Sequence, residues 1–89
     1  MTHDLKTWPV YFAAILDGSK TFEARKDDRN YAVGDTLRLR EWDPPALAHG
    51  WTGEYTGREV IKRVTYILRG PAFGVEAGWC VLALGEPTP

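Results

Sequence analysis

Apolar side chains along this chain recur at two spacings, and the changes of spacing divide it into elements. His3 to Thr7 is short and suits a first strand. Between Trp8 and Asp17, the residues Tyr11, Phe12, Ala14, Ile15 and Leu16 fall at helical intervals. Thr7 is placed to cap this helix, Pro9 sits in its first turn, and Gly18 stops it after Asp17. Lys20 to Lys26 then alternates, with Phe22 and Ala24 on an apolar face and Thr21, Glu23 and Arg25 on a polar one. Asp27-Asp28-Arg29-Asn30 and Val33-Gly34-Asp35 read as turns. A third alternating run, Asp35 to Asp43, puts Leu37 and Leu39 on one face and Arg38, Arg40 and Trp42 on the other. Pro44-Pro45 ends it, because proline cannot donate to a strand ladder.

Residues 44–57 read as a long connection that carries two aromatics, Trp51 and Tyr55. Loops of this length in a small domain are often functional. Arg58 to Arg69 is rich in β-formers. Its apolar phase switches between Val60 and Ile61 and again between Tyr66 and Ile67, the signature of a bulge or strong bend. Gly70 to Gly74 is a turn, Trp79 to Leu84 a last apolar strand, and 86–89 a tail. The order β-α-β-β-β-β predicts an α+β fold. It is a small barrel-like sheet of about five to six strands, with one helix (about 8–17) at its mouth. Closure of the sheet protects strand edges in so short a chain.

The 89 residues suit one domain, 1–89. Hydrophobic residues at 44% and charged residues at 26% exclude disorder as the default. No apolar run reaches about 18 residues, so no membrane span is expected. Met1-Thr2-His3-Asp4 lacks the pattern of a signal peptide, and the single cysteine, Cys80, excludes an internal disulfide framework. A cytoplasmic setting follows as the expectation. The net charge of −1 argues against a broad phosphate-gripping surface. Any nucleic acid would be held by a local pocket. Four Trp and four Tyr suit either a small core or base stacking.

The densest polar patch runs from Gly18 to Arg25. Lys20, Glu23 and Arg25 around one concavity suit an anion or a base edge, since Arg offers a planar fork and Glu accepts from an amine. The same spacing also suits a solvated strand face with an ion pair. Lys6 and Thr7, beside the helix start, form either a phosphate seat or an ordinary exposed pair. Arg38 and Arg40 beside Trp42 make a stacking arrangement for single strands, or a solvent face with Trp42 packed on the long loop. The phase switch is placed to turn the Tyr66 hydroxyl into the cleft. Trp8 is expected to anchor the helix in the core, and Cys80 to be a buried small hydrophobe. His3 and His49 are far apart, so no metal site is expected, nor any cofactor.

Gly18-x-Lys20-x-x-Glu23-x-Arg25 resembles the signature of the ASCH domain, a member of the PUA-like superfamily. The resemblance is closest to a short bacterial and phage family in that group. It extends over His3 to Pro9, Phe22 to Arg29, Val33 to Asp35, Leu39 to Pro44, Thr52 to Glu59, Val64 to Leu68 and Phe73-Gly74. It implies a small PUA-like β-barrel with a helix at its mouth and a cleft between them lined by the signature Lys, Glu and Arg. It also implies RNA or a modified nucleoside or nucleotide as ligand. One ASCH branch deacetylates N4-acetylcytidine with a Lys, a Thr and a Glu. Lys20 matches that Lys, but Glu23 stands where that branch has Thr, although Thr21 is nearby. The segment from about Pro45 to Trp51 looks like added length compared with shorter relatives.

Three functions therefore stand as expectations. The first is an RNA- or nucleotide-binding module using Lys6, Lys20, Thr21, Glu23, Arg25, Arg40 and Tyr66. The second is a small amidohydrolase acting on a modified nucleoside, with Lys20 and Glu23 as catalytic groups. The third is a protein-interaction module that docks its partner through the 44–57 loop.

Overall fold

The computed structural model describes residues 1–44 and 53–87. Five strands and one helix follow in the order β1 (Thr2–Thr7), α1 (Pro9–Leu16), β2 (Phe22–Lys26), β3 (Thr36–Asp43), β4 (Glu54–Arg69) and β5 (Trp79–Gly85). The strands form one curled sheet, a half-barrel, in the spatial order β1-β3-β4-β5-β2. β1 runs parallel to β3, and the other neighbours are antiparallel. The expected α+β class with a barrel-like sheet and a single helix is what the chain adopts. No helix among the described residues is long and apolar enough to cross a membrane.

The core follows from the alternation. Leu5, Leu37, Leu39, Val64, Cys80 and Leu82 line the concave face, and Ile15 of α1 and Tyr31 close over them. Phe12, on the same side of α1 as Ile15, is also buried. Cys80 is the small buried hydrophobe expected, and burial raises its thiol pKa.

The helix begins and ends for different reasons. Pro9 starts α1 with its backbone angle already helical, but Thr7 does not cap it. Trp8 is the N-cap residue, in extended conformation and without a side-chain cap bond. At the other end Gly18 takes a left-handed conformation, φ +85, that lets the chain reverse into β2.

Several local expectations change. Residues 54–57, read as loop, are the first turn-free stretch of β4. Trp51 and segment 45–51 lie outside the described residues, as does the middle of the proposed 44–57 docking loop, residues 45–52. The strand β2 is inverted relative to a simple amphipathic reading. Glu23 is buried, Arg25 is half-buried, and Phe22 and Ala24 are exposed. The polar side turns inward because Lys20 and Arg25 neutralise Glu23 there, while Phe22 and Ala24 pack beside Ala83 and Val81 on the convex face.

The expected bulge exists at one place of the two. Thr65 is extra in the β4·β5 ladder, so Val64 opposes Leu84 but Tyr66 opposes Ala83. The β3 ladder runs without a break past Val60 and Ile61, which simply project to opposite faces. A different irregularity lies between Arg40 and Trp42, where β4 accommodates extra residues around Gly57, φ +95.

A half-barrel leaves two edges, β1 and β2, and arginines stitch them together. Arg25 donates from Nη2 to the Lys6 carbonyl, and Arg29 donates to the Asp4 carbonyl at 2.8 Å. At one end of the barrel, Arg69 of β4 donates to Asp27 at 2.8 Å and to the Tyr31 carbonyl at 2.6 Å.

The floor opposite the cleft is pinned by Asp35. Its Oδ2 accepts from His3 Nε2 at 2.8 Å and from the Ala32 amide at 3.0 Å. The His3 hydrogen bond holds the Asp35 carboxyl down at about 2, against the opposing effect of burial. A carboxyl depressed in the folded state stabilises the fold above its unfolded pKa and loses that contribution as pH falls through the folded value. Acid titration monitored by tryptophan fluorescence should therefore show stability declining between about pH 4 and about pH 2. Asp35→Asn should flatten that part of the profile.

Candidate functional site

The gap between the two sheet edges is also the main cleft, about 600 Å³ in volume. The end of β1 and the start of α1 form one wall with Lys6, Thr7, Trp8 and Tyr11. The turn into β2 and β2 itself form the other with Lys20, Phe22, Glu23, Ala24 and Arg25, and Trp79 stands at the rim. Its volume is in the range of small-molecule sites.

Glu23 is the centre of the charge arrangement. It is 4% exposed, and both carboxylate oxygens are engaged. Lys20 Nζ donates to Oε1 at 2.6 Å, and Arg25 Nε donates to Oε2 at 3.0 Å. Burial of a carboxylate is tolerated only with such partners. The Gly18 turn brings Lys20 into reach, since the Lys20 amide bonds back to the Ala14 carbonyl at 3.0 Å at the end of the helix. Lys20 Nζ also donates to the Phe22 carbonyl at 2.7 Å and lies 4.9 Å from the Phe22 ring centre. With Lys6 the cleft carries three cations and one carboxylate, so it favours an anionic ligand.

Among the described residues, Thr7 is the buried polar side chain of the cleft with unused bonding capacity. The residue is 2% exposed, and its Oγ1 finds no hydrogen-bond partner among the described residues. An unsatisfied buried hydroxyl costs about 1–3 kcal/mol, and a ligand atom or water in the cleft would remove that cost.

The walls are aromatic. Trp8 and Tyr11 stack on each other with ring centres 6.2 Å apart. Trp8 is 50% exposed, so it lines the cleft mouth instead of anchoring the helix in the core. Phe22 and Trp79 are likewise exposed at the rim. A planar ligand can lie against such faces, and the cation-rich floor can take an acceptor or a phosphate.

Lys6, Lys20, Glu23 and Arg25 thus come together as the pattern suggested. Thr21 does not join them. It is exposed and outside the cleft lining, and its carbonyl accepts from the Leu84 amide at 2.9 Å as the start of the β2·β5 ladder. Tyr66 does not join them either. The bulge at Thr65 resets the alternation and turns Tyr66 to the convex face, where it is 65% exposed. Arg40 projects from the convex face of β3 and lies over the Tyr55 ring at 3.9 Å, away from the cleft.

Trp8, Tyr11, Phe22 and Trp79 were not among the expected site residues. Trp8 and Tyr11 are three apart and so share a helix face, the one signal in the sequence that marks them as a pair.

Comparison with known proteins places this geometry in a family. Residues 2–84 match the family described as "Domain of unknown function (DUF3850)". An uncharacterised 12.9 kDa protein in the GpA 3′ region of Escherichia phage P2 is 44% identical over 63 residues. That match covers 71% of this chain and 50% of the phage protein, so the chain spans about half the length of the relative. The cleft, its charged triad and its aromatic mouth are therefore features of a chain that belongs to the DUF3850 family.

Proposed function

We propose that the cleft holds a nucleobase with its phosphate, as the pocket of an RNA- or nucleotide-binding module of the ASCH/PUA-like kind. The observation that carries this reading is the pairing of an aromatic mouth with a cationic floor around one buried carboxylate. Trp8 and Tyr11 offer a stacking face, Arg25 the Nη1 donors left over from its bonds to Glu23 and Lys6 for a phosphate or a base acceptor, and Glu23 and Thr7 partners for base-edge groups. The residues of the Gly18-x-Lys20-x-x-Glu23-x-Arg25 signature lie at or beside this cleft, which supports the ASCH-like assignment.

Binding suits this geometry better than hydrolysis. Lys20 Nζ is committed as a donor to both Glu23 and the Phe22 carbonyl. To act as a base toward an acylated nucleoside it would have to release both.

Amide NMR titration with adenosine and cytidine 5′-monophosphates tests the proposal. The expected shifts cluster at Thr7, Trp8, Tyr11 and Lys20 to Arg25. Trp8→Ala should weaken binding about ten-fold through lost stacking and leave the fold intact. Arg25→Lys should weaken it while keeping the charge, because a single ammonium cannot hold Glu23 and the Lys6 carbonyl and still present the Nη1 donors to the ligand. Absence of shifts with both nucleotides, or shifts confined to the convex face, overturns the proposal. Glu23→Ala is a stability probe, since it leaves Lys20 and Arg25 facing each other with no carboxylate. It should cost about 3 kcal/mol in urea unfolding.

A further inference from the structure

The convex face beside the cleft carries a second arrangement of cations and rings, which shares Lys6 with the cleft. Lys6 on β1 places its Nζ 4.5 Å from the Trp42 ring centre on β3. Arg40, next to Lys6 in the β1·β3 register, lies 3.9 Å over Tyr55 on β4. Trp42 and Tyr55 are themselves register partners. The four side chains therefore form a strip across three adjacent strands, about 10 Å wide.

The charges of this strip differ from those around it. Arg38 is neutralised by Asp4 at 3.2 Å and by Glu59 at 2.5 Å. Arg58 is paired with Glu41 at 3.1 Å. Lys6 and Arg40 have no carboxylate within 4.0 Å among the described residues, so their charge is held against aromatic faces and remains available to an anion. Tyr55 stays 42% exposed beneath the Arg40 guanidinium. An unneutralised cation next to an accessible ring is the pairing that a backbone phosphate and its base require.

Lys6 links the strip to the cleft, because it lines the cleft wall and also contacts Trp42. We infer that the strip Lys6–Trp42–Arg40–Tyr55 is the track for a single strand of nucleic acid whose one nucleotide enters the cleft. The inference rests on the cleft reading above and makes it more specific: the ligand is a strand, not a free nucleotide. Charge complementarity selects this partner, since a strand of phosphates and bases matches alternating cations and rings in a way that a carboxylate-bearing peptide does not. Few phosphates are engaged, in keeping with the net charge of −1.

The test compares adenosine 5′-monophosphate with a mixed-sequence single-stranded RNA of roughly eight nucleotides, the scale of one small single-strand-binding domain. Affinities are measured by fluorescence anisotropy and NMR over a salt series. The RNA should bind at least about ten-fold tighter than the mononucleotide, as added phosphate and stacking contacts require. Arg40→Ala should remove about 0.7 from the slope of log affinity against log salt for RNA and leave mononucleotide binding unchanged. Tyr55→Ala should weaken RNA binding about ten-fold with little change in the salt slope. Equal affinity for RNA and mononucleotide, or an Arg40→Ala variant that binds RNA as the parent does, overturns the strip and leaves the cleft proposal standing. If neither RNA nor mononucleotide binds, both proposals fall.

Discussion

The five strands do not close on themselves through backbone bonds, and the rest of the structure depends on how the remaining gap is spanned. β1 and β2 are the two edges, and Arg25 reaches across from one to the carbonyl of Lys6 on the other. That guanidinium is itself held by Glu23, which Lys20 holds in turn. A buried carboxylate therefore does two things at once. It fixes the side chain that bridges the barrel wall, and it concentrates charge at the bottom of the cleft between the two edges. The site exists because the barrel is incomplete, and the barrel is held together by the residues of the site.

This double use explains why the polar face of β2 turns inward. In an ordinary half-buried strand, Phe22 and Ala24 would seek the core. Here the gap leaves space for long polar side chains on the concave side, and the partners they need are in reach. The convex side of β2 continues onto Val81 and Ala83, where small apolar side chains receive Phe22 and Ala24. Local hydrophobicity yields to the pairing of a charge network.

The sequence made the elements legible because periodicity is a local property. The helix, the strand Asp35 to Asp43 with Leu37 and Leu39 inward, and the last strand all lie close to their expected limits. What was not legible depends on contacts between distant strands. Whether Tyr66 faces in or out is decided by one inserted residue, Thr65, opposite Ala83 and Leu84, and no single strand carries that information. Which face of β2 is inside depends on the position of an edge. Lys20, Glu23 and Arg25 were legible as a cluster because all three lie within six residues. The aromatic wall was not, because Trp79 is brought to it by the β2·β5 ladder and Trp8 by the angle at which β1 enters the helix.

The carbonyls of Asp4 and Lys6 also matter in another respect. An open strand edge is a template on which other chains can add, and small sheet proteins suffer from it. On β1 those acceptors are already occupied by the guanidinium groups of Arg29 and Arg25, and on β2 the Phe22 carbonyl is occupied by Lys20. The arginines and the lysine thus guard both rims against intermolecular strand pairing. A ligand that drew Arg25 away from Lys6 would expose part of the β1 rim, so solubility and occupancy of the cleft are coupled through one side chain.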